Sequence, residues 1–377
     1  LSVRSDRVPF PAPLARDGRG SVSRVIPGGA WQVGTQAWVR SLVLAMLACP
    51  TGSGAEQADN PASSDYARPQ RLVEVEPGRR LNLYCIGEGS PTVIFDSGLA
   101  EPTSTWFQVQ PRVAKQSRAC SYDRAGSGFS DAGTRAGSSA HIVDDLRRLL
   151  AKAEIEPPYV LVGHSYGGMN VRLYYYLHPD EVAGMVLVDP SHEDQAEGYR
   201  MLSPRGYTRA QWRALGDPGI ATRRECVEEA SQGFEPGTEA YRRCIFDAPS
   251  QMPPVLQRAY LAMQQRPAFH QAQLTEEASV FAASAEQLQA ARRSFMNLPV
   301  IVLTHAPDTS PLRDWETPAL RKARTAMWHN LHAGLADASA RGEHRVVADS
   351  DHAIQLSQPD AVVAATIEMV DMARHAP

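Results

Sequence analysis

The sequence predicts an α/β fold: a mostly parallel sheet covered by helices on both faces and interrupted by a helical insertion. Three observations carry this expectation. Short apolar runs alternate with segments of helical periodicity between residues 92 and 190, and again between 299 and 375. That alternation is the pattern of strand–helix–strand crossovers. The strand pattern disappears from Ser191 to Leu298, where Ala, Gln, Glu and Arg predominate between prolines. One apolar run, Tyr159 to Val162, ends in Gly163-His164-Ser165-Tyr166-Gly167 before a helix-like segment, the strand–turn–helix setting of a nucleophile elbow.

The elements follow in order. Leu72 to Val75 and Leu81 to Ile86 alternate apolar and polar residues around Pro77-Gly78 and read as a hairpin. Thr92 to Phe95 is a buried strand ending in Asp96-Ser97-Gly98-Leu99-Ala100. Trp106 to Gln116 has helical spacing, and Arg118 to Tyr122 is a further strand. Ala140 to Ala153 is amphipathic, with Ile142, Leu146, Leu149 and Leu150 on one face and Asp144, Arg147 and Arg148 on the other. Pro157-Pro158 stops it. The elbow strand and a helix to about Leu177 follow, then the strand Met185 to Val188, which ends at Asp189. After the insertion come a strand at Pro299 to Thr304, a long helix at about Thr317 to Ala340, a strand at Arg345 to Ala348, and a final helix from Asp360 to Ala373. Eight strands result.

The chain has 377 residues, 43% of them hydrophobic, with a net charge of −4. A large core can form, and nothing in the charge points to nucleic acid. No apolar run reaches the roughly 20 residues of a membrane span. Residues 1 to about 65 are rich in Arg, Gly, Pro and Ser, with little periodicity. Within them Arg40 precedes the apolar run Ser41 to Cys49, and Ser53-Gly54-Ala55 offers a small-x-small cleavage site, together a secretory signal. Ala48-Cys49 also resembles a lipoprotein cleavage site. The signal lies far from residue 1, which places the expected start of translation further downstream. A secreted or periplasmic protein is expected, with residues 1–65 a leader, 66–190 and 299–377 the core, and 191–298 a helical cap.

Ser165 at the elbow needs a base and an acid, because a serine hydroxyl is a weak nucleophile by itself. These follow in the order Ser, acid, His. His352 lies in the loop after the last strand, at the edge of the sheet where such folds place their sites. Two carboxylates compete for the third role. Asp308 follows the strand Pro299 to Thr304, and Asp189 ends the strand after the elbow helix; Asp308 matches the commoner position. Asp349 and Asp351 stand too close in sequence to His352 to orient it. Two backbone donors must hold the oxyanion, one at Tyr166 and one at Leu99 in the loop after Thr92 to Phe95. No dinucleotide fingerprint and no metal-ligand spacing occurs, so no cofactor and no metal is expected.

These residues resemble the α/β-hydrolase superfamily over about 70 to 190 and 299 to 375. The likeness rests on Gly163 to Gly167, Asp96 to Leu99, Tyr122-Asp123-Arg124-Ala125-Gly126-Ser127-Gly128, Val186 to Asp189 and His352. Within the superfamily it is similar to capped bacterial hydrolases of esterase type. The resemblance implies an eight-stranded sheet, a serine hydrolase acting on a small-molecule carboxylic ester, and a cap over the pocket. It also implies that the second and fourth strands are neighbours, hence a Cys85–Cys120 bridge, with Cys226–Cys244 left to staple the cap. Three features depart from the pattern. Ser97 stands where many members carry histidine, His305 occupies the place of a glycine in the acid loop, and a long helix separates Asp308 from His352. The competing readings are a proline-type aminopeptidase, whose cap acids would be drawn from Glu228, Glu229, Glu276 and Glu277, a lactonase, a C–C bond hydrolase, and a non-catalytic binding protein.

Overall fold

A computed structural model of the chain describes residues 61–375 apart from 216–217 and 314–315. Residues 1–60, which hold most of the expected leader, the expected signal segment and Cys49, lie outside the described residues, while Pro61–Ser64 form a helical turn. Eight strands form one sheet in the order β1-β2-β4-β3-β5-β6-β7-β8. They are β1 (Arg71–Glu76), β2 (Arg79–Ile86), β3 (Thr92–Asp96), β4 (Ala119–Tyr122), β5 (Tyr159–His164), β6 (Val182–Val188), β7 (Val300–His305) and β8 (Gly342–Val347). β2 runs antiparallel to β1 and β4, and every other pairing is parallel.

Period-two alternation distributes each central strand between two cores. On one face Ile94, Leu161, Leu187 and Val302 pack with the helices Ser139–Lys152 and Tyr166–Leu177. On the other, Phe95, Val162, Val188 and Leu303 pack with Trp106 and the helix Pro359–Arg374. Each such side chain contributes about 1.5–3 kcal/mol through burial. The parallel strands are therefore apolar throughout, which is why they read as short continuous runs.

Two elements differ from expectation. The stretch Trp106 to Gln116 forms a 3₁₀ turn, Thr103–Trp106, and a short helix, Gln110–Val113. Gln110 is fully buried, donates to the carbonyls of Tyr84 and Ala119, and accepts from Tyr66 and Ser121. Pro111 beside it supplies no N–H, so the turn restarts there instead of extending. β8 begins at Gly342, three residues before the expected start, because its exposed edge carries Glu343 and Arg345 and lacks an apolar signature.

Among the described residues, the stretch between β6 and β7 is built of helices, from Gln195–Leu202 to Ala283–Ala291, with an isolated β-bridge from Met296 to Ser339. Cys226 and Cys244 are bridged there, within a small core that includes Ala230, Phe234 and Ile245. Met252 and Leu256 instead pack against Tyr66 and Tyr84 of the main body. Cys85 and Cys120 face each other across β2 and β4 and form the second disulfide. No helix among the described residues is long and apolar enough to cross a membrane.

Candidate active site

β5 ends at His164, and the helix Tyr166–Leu177 begins one residue after Ser165. Ser165 therefore sits in the turn itself, with φ of 50°. A side chain in that left-handed region is strained and is held there only by its surroundings. Those surroundings are tight. A Cβ at Gly163 would lie 2.5 Å from the Gly167 carbonyl oxygen, and one at Gly167 would lie 2.2 Å from that of Asp96. Only glycine permits the helix to start this close to β3 and β5.

Ser165 Oγ lies 3.0 Å from His352 Nε2, and His352 Nδ1 donates to Asp189 Oδ2 at 2.5 Å. Asp189 is fully buried at the end of β6, with φ of 42°. It also accepts from the backbone N–H of His305 (3.0 Å), from His305 Nδ1 (2.8 Å) and from Trp328 Nε1 (3.0 Å). Burial pushes its carboxyl upward, but the hydrogen bonds from His305 and His352 outweigh this and hold it well below the ordinary range.

Two backbone N–H groups beside Ser165 donate to no acceptor among the described residues: Leu99, after β3, and Tyr166, at the helix N-terminus. Three of the flanking N–H groups are engaged. Gly98 N donates to Glu101, Ala100 N to Glu276, and Ser165 N to the Val188 carbonyl. Leu99, Tyr166, Ser165 and His352 together line a cavity of about 510 Å³ between the sheet edge and the insertion.

Comparison with known proteins agrees with this architecture. Residues 91–210 match the sequence profile of the α/β hydrolase fold. A solved protein of Nostoc sp. PCC 7120, assigned to the α/β hydrolases, superposes with a TM-score of 0.59 at 16% identity, covering 81% of this chain and 98% of its own. The epoxide hydrolase CorEH superposes with a TM-score of 0.53 at 16% identity, covering 80% and 96%. The chain has the α/β hydrolase fold. Among curated sequences, Bacillus subtilis YqjL is 32% identical over 110 residues, 29% of this chain and 44% of its own length. An AB hydrolase superfamily protein of Gibberella zeae is 27% identical over 201 residues, 49% of this chain and 62% of its own. The matched stretches thus span about half the length of these relatives.

In this α/β hydrolase fold the expected acid, Asp308, is not bonded to His352. Its side chain is 45% exposed, accepts from Ser310 N at 2.9 Å and approaches Arg321 at 3.9 Å. The reason is local. His305 is the last residue of β7 and donates both its N–H and its ring to Asp189, so the loop carrying Asp308 runs outward along the cavity wall. Asp189, the alternative, is the carboxylate brought to His352.

Two of the insertion's four candidate acids are already hydrogen-bonded to arginines. Glu276 is buried: it binds Arg124 through both carboxylate oxygens and accepts from Ala100 N at 2.8 Å. Glu277 is paired with Arg223 at 2.7 Å. Asp189, His305 and His352 place one ligand atom each within 4.8 Å of one another, the one such trio found among the described residues. Spacing along the chain did not reveal it, since it joins three separate strand ends. Both imidazoles already donate to the carboxylate, so a cation there would have to displace two protons.

His164 and Glu101 form a further pair beside the site. His164 Nδ1 faces Glu101 Oε2 and its Nε2 faces the His352 carbonyl, each at 3.0 Å, so two acceptors hold the ring. Burial pushes the imidazole down, but Glu101 outweighs it and the net shift is upward. Burial likewise pushes the Glu101 carboxyl up, yet His164 and the Gly98 N–H bring it to about 2. The His164 contribution is full below the ordinary imidazole pKa of 6.5 and fades as pH rises through the raised value. The Glu101 contribution is full above 4.5 and is lost as pH falls toward 2. Glu101→Gln is therefore expected to lower the Tm most between about pH 4.5 and 6.5. Thermal melts of both proteins from pH 3 to 9 check this, and a pH-independent difference refutes it.

Proposed function

We propose that the protein is a serine hydrolase of carboxylic esters, with Ser165 as nucleophile, His352 as base and Asp189 as the acid that orients it. The observation that carries this reading is the Ser165–His352–Asp189 hydrogen-bond chain at the wall of the cavity. Ser165 Oγ attacks the ester carbonyl carbon as its proton passes to His352 Nε2. The N–H groups of Leu99 and Tyr166 receive the oxyanion. Collapse of the tetrahedral adduct expels the alcohol, which takes the proton from His352, and leaves an acyl-Ser165. Water, deprotonated by His352, then releases the acid and restores the serine. The helical insertion acts as a cap that roofs the pocket.

A proline-type aminopeptidase would need a cap carboxylate for the substrate ammonium. Glu276 and Glu277 are already committed to Arg124 and Arg223, which speaks against that reading. The two disulfides support a secreted or periplasmic location. The test is a fluorophosphonate probe together with a panel of p-nitrophenyl esters, lactones and proline anilides. Wild type should be labelled and should turn over esters, while Ser165→Ala should do neither. Absence of labelling on folded wild type, or turnover of anilides alone, rejects the proposal.

A further inference from the structure

Asp189 holds two imidazoles, and the proposed ester chemistry uses only one. His305 Nδ1 donates to the same oxygen, Oδ2, that accepts from His352. A ring nitrogen committed as a donor fixes the tautomer, so in the neutral ring the lone pair resides on Nε2. That nitrogen has no hydrogen-bond partner among the described residues. The His305 side chain is 26% exposed and lines the cavity that holds Ser165. Its ring centroid is 6.4 Å from that of His352, with the planes at 85°. An acceptor thus lies on the wall of the cavity that also holds Ser165.

One side of the wall is polar, while Leu99, Tyr199, Val280, Phe281 and Trp328 make the other apolar. Asp308, Glu316, Arg321 and Arg324 line the polar side, with Glu316 shared between the two arginines at 2.5 and 3.1 Å. A plain alkyl chain would take water from these groups and return no hydrogen bond. A hydroxylated one would not.

We propose that His305 Nε2 accepts a hydrogen bond from a substrate hydroxyl, and that the preferred substrates are esters bearing a free hydroxyl near the scissile bond. This rests on the ester-hydrolase reading above. A site built to bond a hydroxyl discriminates against the analogue that lacks it, because its own polar atom is then left unpaired. In a cavity open to water the preference is expected to be about 10-fold or more.

Matched substrates test it: p-nitrophenyl 3-hydroxybutyrate against p-nitrophenyl butyrate, and glycerol monobutyrate against propyl butyrate. Wild type should favour the hydroxylated member in kcat/KM by at least about 10-fold in one pair. In His305→Asn the side-chain amide stands where Nδ1 does, so a donor to Asp189 remains while Nε2 is removed. The ratio should then fall to about one. His305→Gln, whose amide reaches the Nε2 position, should restore part of it. A residue that only braced Asp189 would slow both members of a pair equally and leave the ratio intact. A wild-type ratio near one in both pairs, or a ratio retained in His305→Asn, overturns the inference while leaving the ester reading standing. Turnover of none of the four esters by folded wild type rejects that reading, and this inference falls with it.

Discussion

Asp189→Asn is expected to lower kcat for an activated ester by about 10⁴-fold, because an amide presents His352 with the wrong tautomer while leaving the geometry intact. Asp308→Ala is expected to stay within a few-fold of wild type. Asp189 is fully buried and accepts from both histidines and Trp328, while Asp308 is exposed and bonded to Ser310. Substitution of Asp189 also leaves His305 and Trp328 with weakened acceptors, so the loss should combine chemistry with stability. Steady-state kinetics at fixed pH on protein shown to be folded by circular dichroism separates the two. If Asp308→Ala loses activity and Asp189→Asn does not, the assignment of the acid is wrong.

The choice between these carboxylates was the point at which the sequence became ambiguous. Both follow a strand, and strand pairing alone sends both to the same edge of the sheet. Their separation depends on which side chain ends β7, and that is decided in space by His305 reaching Asp189 across 116 residues. The elbow was legible because its chemistry is local: a strand, two glycines and a helix within ten residues. His352 was legible from its place after the last strand. The paired cysteines followed from the expected strand order, since Cys85 and Cys120 lie opposite each other once β2 and β4 are neighbours. The partner of Glu276 was not legible, because helical spacing places it on a face without saying what covers that face. Here the cover is Arg124, 152 residues away.

That arginine is the basis of the second large effect. Arg124 is buried between Asp96, at 2.8 Å, and Glu276, at 2.7 Å, and it donates to the carbonyls of Ser97 (2.7 Å) and Gly98 (2.5 Å). Burial pushes Asp96 above the ordinary carboxylate range, and Arg124 opposes the shift. Arg124→Met leaves two buried carboxylates without their cation and is expected to destabilise the fold by about 3–5 kcal/mol. The triple variant Arg124→Met, Asp96→Asn, Glu276→Gln removes those charges together and should recover much of the loss. Arg124→Lys keeps the charge but not the planar fork. It should melt closer to wild type, yet still lower kcat, because the carbonyls of Ser97 and Gly98 lose the donors that fix the loop presenting the Leu99 N–H. Misplacing one oxyanion donor lowers turnover by about 10²–10³-fold. Chemical denaturation ranks the three variants, and kcat on the folded lysine variant isolates the catalytic share. If Arg124→Lys turns over esters like wild type, the guanidinium fork does not hold the loop that carries Leu99, and its role is confined to charge compensation between the sheet and the helix Pro267–Val280.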